Sequence, residues 1–285
     1  MEAFEVSRAV ATAGAIAASV GVVVEDAVVL HNSNKLALRL VPGGVFARVA
    51  PEGEEVAEFE VQLARELGEI RAPVARPWSA EVYRRDGFVV TLWEYYEPVA
   101  SEVEPVEYAR ALERLHDGMR KVELTSPRFT DRVAEAQKIV AEVELSPELT
   151  AADRVFLGGR LRDLREAIEG RGVAEQLLHG EPHPGNLLGT THGPLFIDFE
   201  TCCRGPVEFD LAHVPEAVCE HYRGVDQALL DDCRQLVLAM VAVWRWDRGD
   251  QFPNGRQFGE ELLRILREGP PWPTLDAVVK RVEST

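Results

Sequence analysis

Basic residues are scarce in this chain: 31 lysines and arginines stand against 48 aspartates and glutamates, for a formal charge of −17. That balance argues against a nucleic-acid partner, because a phosphate backbone needs a basic surface; it either favours a small cationic substrate or serves solubility alone. Cysteine is equally sparse, with four residues in all. Cys202, Cys203, Cys219 and Cys233 include no Cys-x-x-Cys pair, and such use points to a reducing compartment, so the cytoplasm is the expected location. A basic leader is missing as well. Only Arg8 offsets Glu2 and Glu5 ahead of the small-residue run at 9–24, whose Gly and Ala content also makes a poor membrane span; neither a signal peptide nor a membrane segment is expected. Internal repeats and low-complexity segments are absent.

What is present is enough for a real core. A length of 285 residues with 46% hydrophobic content suits one large domain or two lobes. The most informative stretch is 177–200. It opens Leu177-Leu178-His179-Gly180-Glu181-Pro182-His183-Pro184-Gly185-Asn186, where Pro182, Pro184 and Gly185 forbid a regular helix. Its polar groups therefore sit on a tight, irregular loop. The apolar runs at 187–190 and 195–199, parted by Thr191-His192-Gly193-Pro194, read as a small hairpin that would bring Asp198 back toward the loop.

Ahead of this stretch, residues 4–18 are helix-compatible and Gly21 is placed to stop them. Runs at 22–30, 36–41 and 45–50 are rich in β-branched and aliphatic residues and are parted by turns at 31–34 and 42–44, so three antiparallel strands are expected. In the first turn, Ser33 and Asn34 form either a small anion-binding nest for phosphate or an ordinary hairpin turn. Arg48 alternates with Ala47 and Val49, so its cation leaves one face of the sheet, either solvated or paired. The segment 54–67 is helical in period, with Gly68 as its stop, and its Glu60 borders the buried stripe; an internal Arg48–Glu60 ion pair is one outcome and a solvated acid the other. An apolar run at 89–93 leads into Glu94-Tyr95-Tyr96-Glu97-Pro98, which reads as the crossing between lobes.

Beyond residue 100 the pattern is mostly helical. Tyr108, Leu112, Leu115 and Met119 mark one helix, and Val133, Val140 and Val143 mark a second. Thr150 and Asp153 form a capping-box start for a third that buries Phe156, Leu161, Leu164 and Ile168. A helical stretch begins near 207, residues 236–246 are apolar almost all round, and Leu262, Leu263 and Leu266 mark a further amphipathic helix ended by Gly269.

Three chemistries compete for the loop. A helical zinc site needs its histidines on one face of a helix, which Pro182 and Pro184 remove. A zinc deaminase needs a later Pro-Cys-x-x-Cys, which Cys202 and Cys203 do not supply. Phosphoryl transfer needs a carboxylate near the acceptor hydroxyl and oxygen ligands for magnesium, roles that Glu181 and the pair Asn186 and Asp198 can take.

The motifs His179-Gly180-Glu181-Pro182-His183-Pro184-Gly185-Asn186 and Ile197-Asp198-Phe199-Glu200 resemble the signature of the aminoglycoside phosphotransferases and their choline-kinase-like relatives. Gly205-Pro206, Asp210-Leu211-Ala212 and Arg114-Leu115-His116 extend the match. The resemblance implies an α+β, two-lobed, protein-kinase-like fold: a small antiparallel-sheet lobe over 1–97 that binds nucleotide and ends in the hinge, and a mostly helical lobe over 98–285 with the catalytic loop and substrate site. It implies ATP or GTP and Mg2+ as cofactors, Glu181 at the catalytic-base position, and Asn186 and Asp198 as metal ligands. Arg48 and Glu60 fall at the phosphate-binding cation and its helical partner, and the backbone of Glu94, Tyr95 and Tyr96 would cradle adenine.

His179 and Asp210 look like supports for the loop, and Glu200 either reaches substrate or caps the next loop. The chain departs from the family pattern in two places. Glu181 stands where aspartate is usual, and one extra methylene moves a carboxylate by roughly an ångström, which can cost about a hundredfold in rate. Arg48 stands where lysine is usual, a planar fork in place of a point charge, with Lys35 nearby as an alternative cation. The expected activity is transfer of a γ-phosphate to a hydroxyl of an aminoglycoside-like antibiotic, with resistance as its role, or of an amino sugar or amino alcohol. The alternative is a nucleotide- or ligand-binding pseudokinase. Glu208, Glu220 and His221 show no spacing that selects an acceptor.

Overall fold

The structure, a computed structural model, describes residues 1, 3–53 and 55–283. Glu2 and Glu54, the latter the expected start of the second helix, lie outside the described residues. The chain divides into two compact units, one of Met1–Val103 with Leu188–Glu200 and one of Glu104–Leu187 with Thr201–Thr285.

In chain order the elements of the amino-terminal part are α1 (Ala3–Ser19), β1 (Val24–Asn32), β2 (Leu36–Pro42), β3 (Val45–Pro51), α2 (Ala57–Glu69), β4 (Tyr83–Arg85) and β5 (Phe88–Glu94). Then follow α3 (Pro105–Met119), α4 (Phe129–Ala141), α5 (Ala151–Gly170), β6 (Gln176–Leu178), β7 (Leu187–Thr190), β8 (Gly193–Phe196) and β9 (Cys203–Gly205). The chain closes with α6 (Val207–Leu211), α7 (Glu216–Cys219), α8 (Gln227–Trp244), α9 (Gly255–Glu268) and α10 (Leu275–Glu283).

The first unit is built on an antiparallel sheet in the order β1-β2-β3-β5-β4. Side chains alternate across a strand, so Leu36, Leu38 and Leu40 of β2 and Val45, Ala47 and Val49 of β3 share one face. That face packs on Ala9, Ala13, Ile16 and Ala17 of α1 to form a core. Each leucine, valine or isoleucine among them contributes about 1.5–3 kcal/mol when buried, and each alanine less. The same alternation puts Arg48 on the opposite face, where its guanidinium meets Glu60 of α2.

Several boundaries differ from the sequence pattern. β1 takes in His31 and Asn32, because both pair with β2, and the turn moves to residues 33–35. α2 runs past Gly68; the chain reverses instead at Arg71, whose φ of 61° lets the amide of Ala72 close back on the carbonyl of Leu67. The second strand of the small hairpin is Gly193–Phe196 rather than 195–199. Phe196 makes the last ladder bonds, to Pro73 and Ala75, and Asp198 then adopts a φ of 67°, outside any strand conformation.

The second unit is helical, with β6 and β9 as a short antiparallel pair. The Thr150 hydroxyl accepts the Asp153 amide at 3.1 Å and starts α5 as its spacing foretells. Leu157, not Phe156, takes the buried place in that helix, and the Phe156 ring lies instead under Arg160 and Arg267. Val143 falls beyond the end of α4 and is exposed. α8 begins well before residue 236, capped by Asp226, and is buried almost throughout. Among the described residues no helix is long and apolar enough to cross a membrane.

Candidate active site

The proline-rich loop belongs to the second unit, and a single buried carboxylate shapes its start. Asp210, in α6, accepts the amide of His179 at 2.9 Å on Oδ2 and the amide of Gly180 at 2.8 Å on Oδ1. His116, in the last turn of α3, places Nε2 2.9 Å from the same Oδ2. Asp210 has no exposed surface. Burial works to raise its pKa, but the bond and charge of His116, with His179 and the Gly180 amide adding to them, outweigh it and hold the carboxyl below its ordinary value. The turn also requires glycine: Gly180 has φ of 89°, and a Cβ there would stand 1.9 Å from the carbonyl oxygen of Thr201.

After this anchor, Pro184–Asn186 form one turn of 3-10 helix, with His183 Nδ1 accepting the Gly185 amide at 3.1 Å. The Tyr108 hydroxyl donates to the Pro182 carbonyl. Asn186 Nδ2 donates to the Glu181 carbonyl at 3.0 Å, which leaves the Asn186 side-chain oxygen as the atom suited to a cation.

Glu181 itself meets an arginine. Arg132 of α4 donates from Nη2 to Glu181 Oε1 and from Nη1 to the Gly180 carbonyl at 3.0 Å, and its guanidinium lies 5.2 Å from the Trp244 ring centre. Burial pushes the Glu181 pKa up, and Arg132 more than reverses it, so the carboxyl stays below its ordinary value and ionised at neutral pH. His213 completes the surroundings. It is buried, neither ring nitrogen has a hydrogen-bond partner among the described residues, and burial pushes its pKa down to about 4.

The first unit gathers the remaining candidates. Arg48 Nη1 is 2.8 Å from Glu60 Oε1, and its Nη2 is 2.8 Å from Asp198 Oδ1. Lys35 Nζ is 3.6 Å from Glu60 Oε2 and 2.5 Å from Glu200 Oε2, so Glu200 is engaged by a cation within its own unit. The Phe199 amide donates to Glu60 Oε1 at 3.0 Å, which ties α2 to the segment that carries Asp198. Burial opposes the charge on Arg48, yet Glu60 and Asp198 outweigh it and hold its pKa above the ordinary value.

The other expected nucleotide contacts stand in the same unit. The Ser33 amide is spent on the Lys35 carbonyl at 3.2 Å, within the turn that also holds Asn34. The Glu94 amide donates to Arg76 and the Tyr95 amide to Gly44, at 2.9 and 3.0 Å. The Tyr96 hydroxyl donates to the Glu94 carboxylate at 2.6 Å. Arg39 lies 4.2 Å from the centre of the Tyr95 ring.

A family model described as the phosphotransferase enzyme family, APH, matches residues 27–264. The chain belongs to that family. The phosphotransferase is thus a small-molecule kinase that acts on hydroxyl acceptors. No curated protein sequence matches it. Among solved structures, an amicoumacin kinase, hAmiN, in complex with AMP-PNP, Ca2+ and Ami is similar with a TM-score of 0.71 at 12% identity, over 95% of this chain and 98% of its own. A choline/ethanolamine kinase family protein from Mesorhizobium loti gives 0.64 at 18% identity, over 97% and 99%. An aminoglycoside 2'-phosphotransferase-IIIa in its GDP complex gives 0.67 at 13% identity, over 94% and 99%. At these identities the likeness establishes the α+β, protein-kinase-like fold and leaves the acceptor open.

Two residues of the phosphotransferase escaped the sequence reading. Arg132 borders the buried stripe Phe129, Val133, Ala136 and Val140 of α4 just as Glu60 borders that of α2, and this was a usable signal. His213 had none: nothing in its spacing marks a ring placed beside Glu181.

Proposed function

We propose that this phosphotransferase is a magnesium-dependent kinase that moves the γ-phosphoryl group of ATP or GTP to a hydroxyl of an aminoglycoside-like antibiotic, an amino sugar or an amino alcohol. The observation that carries the reading is Arg48, which joins Glu60 and Asp198 through one guanidinium. A cation, its fixing carboxylate and a metal-binding carboxylate are the parts that phosphoryl transfer needs on the nucleotide side. Arg48, with Lys35 beside it, would hold phosphate oxygens, and the segment Glu94, Tyr95 and Tyr96 would take the base.

The donor set suits magnesium, which is usually held by one or two carboxylates together with substrate phosphates. Asp198 would supply the carboxylate and Asn186 its side-chain oxygen; bound there, the ion would neutralise charge on the phosphates. Glu181 would accept the proton of the acceptor hydroxyl through Oε2, since Oε1 is held by Arg132. The acidic surface of the chain favours an acceptor that carries ammonium groups.

A second reading, a nucleotide-binding pseudokinase, draws on one observation: Arg132 on Glu181 and Arg48 on Asp198 put an arginine on each carboxylate assigned to the chemistry. Phosphate transfer from magnesium nucleotide to a panel of amino-bearing alcohols separates the two. Transfer by the wild type that drops at least roughly a hundredfold in Glu181→Ala and Asp198→Ala supports the kinase. Nucleotide binding without transfer to any acceptor rejects it.

A further inference from the structure

The backbone around Glu181 is fixed from three directions: Asp210 holds the Gly180 amide, Asn186 holds the Glu181 carbonyl, and the Tyr108 hydroxyl holds the Pro182 carbonyl. None of these bonds reaches the carboxylate, which hangs two methylenes beyond the chain. A free glutamate samples several rotamers, and ordering one costs side-chain entropy. A misplacement of about 1 Å at a reacting group costs roughly a hundredfold in rate.

Arg132 is the one side chain that the described hydrogen bonds join to this carboxylate. Its planar fork spans the loop, with one nitrogen on the Gly180 carbonyl and the other on Glu181 Oε1. The fork is itself held: α4 carries it, the Trp244 ring lies 5.2 Å away, and only 11% of its side chain is exposed. Other groups facing Glu181 are committed elsewhere or make no bond to it. His183 Nδ1 accepts the Gly185 amide, Arg245 is 3.0 Å from Asp250, and the His213 nitrogens have no hydrogen-bond partner among the described residues.

We propose that Arg132 is a positioning residue that locks the Glu181 carboxylate in its working rotamer, which rests on the reading of Glu181 as the acceptor of the hydroxyl proton. The fork holds Oε1 and leaves Oε2 for the hydroxyl. Arg132 keeps its own protons throughout; the proton that leaves the acceptor goes to Glu181 as the new oxygen–phosphorus bond forms and the bond from the γ-phosphorus to its bridging oxygen breaks, the nucleoside diphosphate leaving with that electron pair.

A double-mutant cycle of Arg132→Met and Glu181→Asp tests this, because an aspartate carboxylate is one methylene too short to reach the fork. Arg132→Met is expected to lower kcat roughly 30- to 100-fold, with the nucleotide KM changed by less than about twofold. Arg132→Lys recovers part of that loss. In the Glu181→Asp background the same replacement costs less than about threefold. An equal loss in both backgrounds overturns the proposal, since it would mean that Arg132 supports only the fold of α4 and the loop. A crystal structure of Arg132→Met gives a readout that needs no turnover: the Glu181 carboxylate leaves its place while the Gly180 backbone stays, and an unmoved carboxylate overturns the proposal. A wild type without phosphate transfer rejects the proton-acceptor reading of Glu181, whereas the crystal structure still decides whether Arg132 fixes it.

Discussion

Arg48 and Asp198, 150 positions apart in the chain, share a 2.8 Å charge-assisted hydrogen bond. The other arm of the same guanidinium reaches Glu60, which is 3% exposed and also accepts the Phe199 amide. One cation therefore keeps a buried acid neutralised and holds the segment after the small hairpin against α2.

Removing that cation should destabilise the protein. Arg48→Met leaves Glu60 with Lys35 and one amide, and breaking a buried pair in this way costs about 3–5 kcal/mol. Arg48→Lys keeps the charge but cannot fork to both carboxylates, so its loss should fall between the two. Urea unfolding of the three proteins gives the order directly; equal stability of Arg48→Met and wild type would contradict it.

Gly180→Ala should be among the most damaging small substitutions in the chain. A left-handed φ costs an L-residue about 1–2 kcal/mol, and here the Cβ would also stand 1.9 Å from the backbone oxygen of Thr201. Expected outcomes are poor soluble yield or a Tm lower by more than about 10 °C, together with loss of phosphate transfer. The nearby Gly193, whose added Cβ meets nothing within 4 Å, serves as the control for the φ penalty alone.

Asp210→Ala strips the acceptor from two loop amides and from His116 at once. Each buried donor left unpaired costs on the order of 1–3 kcal/mol, so roughly 4 kcal/mol is expected in all. Asp210→Asn retains one acceptor oxygen and should lose about half of that. Hydrogen exchange at the Gly180 amide should accelerate in both variants, more in the alanine one.

His213 should make the protein acid-sensitive in a defined window. Its folded-state pKa, about 4, lies below the unfolded value of 6.5. Above pH 6.5 the ring is neutral in both states and its share of stability is complete. As the pH falls below that value the unfolded chain takes up a proton that the folded one refuses, and stability declines by about 1.4 kcal/mol per pH unit until about pH 4. Between pH 7 and 5, wild type should lose about 2 kcal/mol more than His213→Phe in urea unfolding; parallel losses would show that the ring is protonated in the fold.

Much of the local architecture was legible. The aliphatic runs at 36–41 and 45–50 foretold the strands, the alternation of Arg48 with Ala47 and Val49 put its cation on one face, and Thr150 with Asp153 foretold the start of α5. The prolines at 182 and 184 foretold an irregular loop, and the structure has a single 3-10 turn there. Boundaries were less legible wherever pairing or a positive φ decided them. β1 extends because His31 and Asn32 find partners in β2, α2 runs to Glu69 and the chain reverses at Arg71 rather than at the glycine, and β8 stops before Asp198 turns left-handed. α10, a short helix after Pro273, went unread although Leu275, Val278, Val279 and Val282 carry a helical spacing.

By itself, then, the sequence determined what depends on near neighbours: the periods of strand and helix, the broken loop, and the two motifs by which the chain reads as a phosphotransferase. Tertiary structure alone decided which charges meet. Glu200 meets Lys35, Asp198 meets Arg48 and Glu181 meets Arg132, and none of these pairs has a spacing that a helix or strand imposes. The physical reason is that a charge leaves no periodic mark: burial makes an unpaired ion costly, and the partner that relieves it is whichever side chain the packed backbone brings within reach.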